Sequence, residues 1–250
     1  MNSNFEHFIL TQFNVYMRWS KCIPERDLRK PLSSELPTYE WFKHRLDLFD
    51  RYCYPSIAGQ TNQNFKWFVL FDEEHTDKKL LEKYDKMIPI YIDSENYTKY
   101  MMYQWFSKKI KEYLNPKTEW LITSKIDCDD ALSKNYVKIM QEKFTPKEHM
   151  INPARGVIYN LTSKNLLSLN YNRPPNPFIT IIEKLTVGDL KTCFKIVHWK
   201  MHNYFKNYEN MITKDPLWLQ TIHDKNLNNK FRGNSVENID QALDIFCMKR

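Results

Sequence analysis

Glycine is scarce, with four in 250 residues. Neither G-x-G-x-x-G nor G-x-x-x-x-G-K-[ST] occurs, so a glycine-rich phosphate cradle is excluded and any nucleotide must be held by other groups. The five cysteines, Cys22, Cys53, Cys128, Cys193 and Cys247, form no C-x-x-C pair, and their number is odd. That argues against a disulfide frame or a cysteine zinc site and fits a reducing compartment. There is no G-x-S-x-G elbow and no H-E-x-x-H. Cys128 lies between two Asp, whose charge raises a thiol pKa and makes a poor nucleophile. No apolar run approaches the ~18 residues of a membrane span. Met1 to Leu10 lacks the basic and apolar regions of a signal peptide. A soluble cytoplasmic protein is expected, with peripheral membrane contact left open.

What is present is aromatic and basic. Aromatics make up 15% of the chain, and the net charge is +7. The lysines are spread along the chain and form no tail. Such a surface suits a polyanion, an anionic membrane or a phosphorylated substrate, and equally a plain solvated surface.

The first 145 residues alternate strand and helix. Phe5 to Val15 reads as a strand, and Ser20 to Pro37, broken by Pro24, Pro31 and Pro37, as a loop. Tyr39 to Ala58 is an amphipathic helix, capped by Thr38 and stopped by Gly59, with Pro55 placed to kink its last turn. Phe65 to Phe71 is a near-continuous apolar run, expected of a strand buried on both faces. A short helix over Lys78 to Lys86, a strand over Met87 to Ile92 and a helix capped by Thr98 follow. The pattern predicts an α/β fold, a doubly wound, mostly parallel sheet flanked by helices. Residues 146–250 are less regular and read as the second half of the same single domain. Strands are expected over His149 to Tyr159, Ser163 to Tyr171 and Trp218 to Ile222, the last a strand or a buried turn. Phe178 to Leu185 fits a strand or a short helix, and Ser235 to Met248 a terminal amphipathic helix.

The densest chemistry lies in Trp120 to Leu132, an apolar strand running into Asp127, Asp129 and Asp130, with Ser133 placed to cap a following helix. In an open α/β sheet ligands bind outside the carboxyl ends of the strands, and a divalent cation relieves the repulsion of clustered carboxylates there. A solvated acidic turn fits the same spacing, and Asp130 suits the first turn of a helix. Asp72 closes the buried strand, where it can accept from a nucleobase or ribose, or cap a turn. His223, beside Asp224 and Asn226, is a candidate metal ligand or an ordinary hydrogen-bonded histidine. His198 and His202 share a face if helical. Trp199, Trp218, Tyr171 and Phe178 can stack on a sugar or fill the core.

Several pieces together resemble a known family: Thr11 to Asn14 ending the first strand, then Arg18, then PSIAGQTNQNFKWFVLFD, TSKIDCDDALSKNYV and WLQTIHDKNLNN. The chain is similar to the bacterial rhamnosyltransferase family and, more broadly, to glycosyltransferases of the GT-A fold. The resemblance implies a GT-A-like sheet, with residues 1–145 binding a nucleotide sugar and residues 146–250 on the acceptor side. It implies a metal-dependent enzyme using Mn²⁺ or Mg²⁺ in polysaccharide biosynthesis. The enzyme would move a sugar, nominally from dTDP-rhamnose, to a hydroxyl of a glycan or lipid-linked acceptor, with no nucleic acid partner. Asp72, Asp127 and Arg18 would bind the donor, and Asp129, Asp127 and His223 the metal, with Asp130 behind them. Inverting members usually present a Glu-Asp pair at a helix start, and the second half has none. Glu183, Asp189 and Asp215 are then the candidate bases, and inversion or retention stays open. A nucleotidyltransferase is an alternative, although it would need a glycine-rich loop where Asn14 to Lys21 has no glycine. A non-catalytic basic module on nucleic acid or anionic lipid is another.

Overall fold

The computed structural model describes residues 4–15, 38–93, 99–171, 176–186, 188, 190–195, 208–224 and 231–248. Strand β1 (Phe5–Gln12) lies between two parallel neighbours, β2 (Lys66–Asp72) and β4 (Trp120–Lys125). Helices cover both faces, so Phe8 to Leu10 and Trp67 to Phe71 are all buried. That is why these runs are continuously apolar and do not alternate. Strand β3 (Met87–Ile92) extends the sheet beyond β2. Beyond β4 come β9 (Thr180–Lys184), β6 (His149–Pro153) and β10 (Tyr208–Met211). The seven strands run in the order β10-β6-β9-β4-β1-β2-β3, and β9 is antiparallel to its neighbours.

The order 3-2-1 turns back to 4 on the other side of β1. This is a topological switch point, where the connections leave in opposite directions and a crevice opens outside the carboxyl ends of β1 and β4.

A second sheet of five strands runs β12 (Asn234–Ser235), β8 (Leu166–Asn170), β7 (Arg155–Asn160), β11 (Trp218–Ile222), β5 (Ala131–Leu132). The single strand expected over His149 to Tyr159 is therefore two, β6 and β7, parted at Ala154 and belonging to different sheets. The two halves of the chain interleave: β6, β9 and β10 complete the first sheet, and β5 joins the second. Gly156 on β7 lets β11 come close. A Cβ there would lie 2.0 Å from the Trp218 ring.

Helix α1 (Tyr39–Leu48) begins at Thr38, whose hydroxyl accepts from Trp41 N at 3.2 Å. It continues through a π-helical turn, Phe49–Cys53, into α2 (Tyr54–Ala58). The irregularity expected at Pro55 is this π turn just before it. Helix α3 (Lys78–Leu81) is shorter than the sequence suggests. Helix α4 (Lys99–Tyr113) packs with α6 (Thr192–Lys195) on the face that buries Phe106 and Ile110. The opposite face, under α1, α2 and α5 (Tyr136–Glu142), buries Phe42, Phe49, Trp67 and Tyr136. Among the described residues no helix is long and apolar enough to cross a membrane.

Two expectations fail for one reason. Ser133 is not a helix cap, because α5 starts later, with Asn135 at the cap position. Asp130 is not a helix acid, because β5 follows it and the backbone goes into the second sheet. The terminal helix, α7 (Ile239–Asp244), is shorter than expected and is capped by Asn238. The 20–37 loop, Thr98, His198, Trp199 and His202 lie outside the described residues.

Candidate active site

After β4 the chain turns, with Asp130 N bonded to Asp127 O at 3.2 Å. Strand β5 then pairs antiparallel with β11, setting Leu132 opposite Trp218 and Ala131 opposite Leu219. This register brings Thr221 to the acids. Its N–H donates to Asp130 Oδ1 at 2.9 Å, and its hydroxyl donates to the Asp129 carbonyl at 2.8 Å. His223, two residues further, therefore faces Asp129, and its Nε2 lies 3.1 Å from Oδ2. A carboxylate only accepts, so Nε2 carries the hydrogen in this contact.

Arg45 reaches the same oxygen from α1, with Nη1 2.9 Å from Asp129 Oδ2 and 3.5 Å from Cys128 Sγ. Its guanidinium lies over the Trp41 ring, 4.7 Å from the centroid, one helical turn before it. Asp127 turns elsewhere and takes Lys125 Nζ at 2.7 Å. The Asp127 side chain is 33% exposed, against 7% for Asp129.

Burial raises the Asp129 pKa, but Arg45 first and His223 second outweigh it, and the carboxyl titrates below its ordinary range. For Asp130, burial and the charges of Asp129 and Asp127 act together and push it well above. Burial works against the charged forms of Arg45 and Lys125, yet the neighbouring acids raise both. Burial lifts the Cys128 thiol to about 12 although Arg45 opposes it, so this cysteine stays protonated, as its neighbours in sequence imply. Asp127 and Asp129 are thus balanced by Lys125 and Arg45, with Asp130 favouring its neutral form. The repulsion that a metal was expected to relieve is relieved by two side chains of the protein.

That bears on the metal. The expected ligands were Asp127, Asp129 and His223. Asp129 and His223 do meet, but the oxygen facing His223 also holds Arg45, and Asp127 is engaged by Lys125. Among the described residues, the group of three whose ligand atoms lie within 4.8 Å of one another is His44, His223 and Asp224. Asp129 and His223 thus stand together, and Asp127 is turned to Lys125.

The other expected residues divide by position. Asp72 is buried at the carboxyl end of β2; its Oδ1 accepts from the N and Nδ1 of His75, both at 2.8 Å, and its N–H donates to Asn14 Oδ1 at 2.9 Å. It shapes the rim of the crevice roughly 10 Å from β4, two strand spacings away. Glu183 is a correction. Strand β9 runs antiparallel and sets Glu183 opposite Leu121, at the amino edge of β4, away from the acids. There it accepts from Lys191 N at 2.7 Å and Thr192 N at 2.8 Å. Asp215 is exposed in the turn between β10 and β11. Arg18 and Asp189 lie outside the described residues. Phe178 and Trp218 stack on each other, 4.8 Å between centroids, inside the core, so they are not a sugar platform. Tyr171 is half-buried beside the Arg232 guanidinium. Arg45, Lys125 and His44 were not expected at the site. The four-residue spacing of Trp41 and Arg45, and the lysine directly before the acids, were the available signals.

A family model described as "Putative rhamnosyl transferase" matches residues 32–235. No curated protein matches. Among solved structures, 4-diphosphocytidyl-2C-methyl-D-erythritol synthase from Anaerococcus prevotii overlaps 96% of this chain and 95% of its own, at 11% identity and a TM-score of 0.36. The family match spans α1, β2, the acidic turn and β11, most of the length of the protein, and the chain belongs to the rhamnosyl transferase family.

Proposed function

We propose that the protein is a glycosyltransferase of GT-A type. It would move a sugar, nominally rhamnose, from a nucleoside-diphosphate donor such as dTDP-rhamnose to a hydroxyl of a glycan or lipid-linked acceptor. One observation carries most of this reading. At the β1/β4 switch point, Asp129 is joined by Arg45 and His223, which lie 84 and 94 residues away from it in the chain. Charged side chains drawn from separate elements to a strand-end crevice mark a ligand site better than they mark a core.

In this reading Asp127, the acid of the cluster that reaches solvent, accepts from donor hydroxyls. Asp72 and Asn14 hold the rim for the nucleoside. As the glycosidic bond breaks, negative charge grows on the leaving diphosphate. Arg45 and Lys125 supply positive charge that is already oriented, so stabilising it needs little rearrangement. The acceptor hydroxyl must lose a proton. Asp215 suits that role: it follows β10, which runs parallel to β6 in the direction of β4, so its turn lies along the same edge of the sheet. Glu183 faces the opposite edge.

The test is a thermal-shift panel of nucleoside diphosphates and nucleotide sugars, with and without Mn²⁺, followed by donor hydrolysis assays on Asp127→Asn and Asp129→Asn. One nucleotide class should raise Tm, because a ligand that binds only the folded state stabilises it. Hydrolysis should be lost in both variants. No shift with any nucleotide would end the proposal. Salt-sensitive anion binding that both variants retain would replace it with a non-catalytic basic module.

A further inference from the structure

A hollow of about 280 Å³ opens between β3 and α4, at the edge of the first sheet. Trp105, half-buried on α4, forms one side and packs against the core that holds Phe106 and Ile110. Pro89, Ile90 and Tyr91 of β3 form the other. The volume is close to the ~300 Å³ at which ligand pockets begin. A second hollow, about 420 Å³, shares Lys108 and Glu112 with the first and continues to Gln104 and Lys111. Neither belongs to the acidic turn. Strand β3 stands three strand spacings from β4, roughly 15 Å, and α4 covers the face opposite α1.

The lining fixes the chemistry of a ligand. Glu73 and Glu112 bring two carboxylates, and Lys108 and Lys109 two ammonium groups. Lys109 Nζ donates to Glu112 Oε2 at 2.7 Å, and Lys78 Nζ to Glu73 Oε1 at 3.1 Å. Each acid is thus paired and keeps further lone pairs for hydroxyls. Charge balanced within the hollow gives a polyanion no advantage there, although the chain as a whole carries +7. The edge of β3 adds backbone groups. Ile92 O accepts from Glu73 N at 2.8 Å, which turns the Ile92 backbone toward β2. Successive residues of a strand alternate in this respect, so the Tyr91 N–H and C=O and the Pro89 C=O face the open edge. A peptide added there as a strand would meet Pro89, which has no N–H to give. A sugar ring suits all of these groups together. Its hydroxyls both donate and accept, and its apolar C–H face packs on an indole.

We propose that the hollow between Trp105 and the β3 edge binds a neutral pyranose ring, and that the second hollow takes the next sugar of the same chain. This is a glycan subsite apart from the donor crevice. That the glycan is the acceptor or the product rests on the proposed function. Binding of the sugar itself does not.

The experiment titrates isotope-labelled protein, without nucleotide, with methyl rhamnoside, methyl mannoside and methyl galactoside, and follows the seven tryptophan indole N–H signals by NMR. The Trp105 signal is identified by its loss in Trp105→Phe. It should move saturably with at least one glycoside, in the millimolar range of a single-ring ligand, while the signal of Trp218 in the core stays still. Glu112→Gln, at an exposed side chain, should weaken binding about threefold or more with Tm unchanged. Asp127→Asn should bind as the parent does. A Trp105 signal that stays still with all three glycosides overturns the proposal. So does one that moves as far with glucuronate, one whose movement is lost in Asp127→Asn, or one that Glu112→Gln leaves unchanged. Because no nucleotide is present, a failed nucleotide-sugar panel leaves a moving Trp105 signal standing, and a stationary one leaves that panel unaffected.

Discussion

Asp129, in the turn beyond β4, and Glu183, on β9, are both buried carboxylates, and they do opposite things. Glu183 accepts from two backbone N–H groups, those of Lys191 and Thr192. It thereby holds Thr192 at φ 46°, a conformation rare for a β-branched residue. Its partners are local, and burial raises its pKa. Asp129 binds side chains instead, Arg45 and His223, from two distant elements, and stays ionised. A neutral region makes the same contrast. His7, Ser124, Thr180 and Tyr136 form a buried hydrogen-bonded chain across β1, β4, β9 and α5, with Ser124 to His7 at 2.9 Å and Ser124 to Thr180 at 2.6 Å. Burial alone therefore does not mark a site. Polar groups closed on one another hold elements together, while charges balanced against charges at an open edge are poised for a charged ligand.

The largest expected effect comes from unbalancing that edge. Asp129→Ala leaves Arg45 buried without its partner, and urea denaturation should show a loss of about 3–5 kcal/mol together with loss of donor hydrolysis. The double variant Asp129→Leu/Arg45→Met should regain most of the stability and none of the activity. Recovery of both would make the pair structural and dissolve the contrast with Glu183. Asp215→Asn should lower kcat for transfer by about 10²-fold or more, with stability changed by less than about 0.5 kcal/mol. An unchanged kcat would remove Asp215 as the base.

Glu183→Gln sharpens the comparison from the other side. It should cost about 1–3 kcal/mol by denaturation, because a buried acceptor is lost, and leave kcat within twofold of the parent. The smallest effect is on the neutral chain. Burial lowers the His7 pKa to about 3 from 6.5, so between those values the unfolded chain binds a proton that the folded protein does not. Stability therefore falls as pH drops below 6.5, by about 1 kcal/mol over the first unit. His7→Gln should flatten this slope in denaturation curves recorded between pH 7 and 5.

The local readings that survive concern single elements. Phe65 to Phe71 reads as a doubly buried strand because both faces meet helices, and that leaves a continuous apolar run in one short stretch. The D-x-D at the end of β4 is legible for a similar reason, since an apolar strand running into acids is one contiguous pattern. Misreadings arise where the next element decides. Asp130 and Ser133 look like helix-start residues, but a two-residue strand lies between the two and the helix begins only at Tyr136. His149 to Tyr159 looks like one strand because a run of extended residues carries no mark of which sheet each part joins.

By itself the sequence determined the alternation of strands and helices, the two-faced burial of the first strands, the acids at a strand end and the absence of a glycine cradle. All of these depend on side chains within a few residues of one another. Only the tertiary structure decided that Arg45 and His223 meet on Asp129, that Lys125 takes Asp127, that Glu183 faces the far edge and that His44 comes beside His223. These follow from strand order and direction. An apolar strand reads alike whichever way it runs, so the antiparallel course of β9 and the β5–β11 register, on which the site depends, have no local signature.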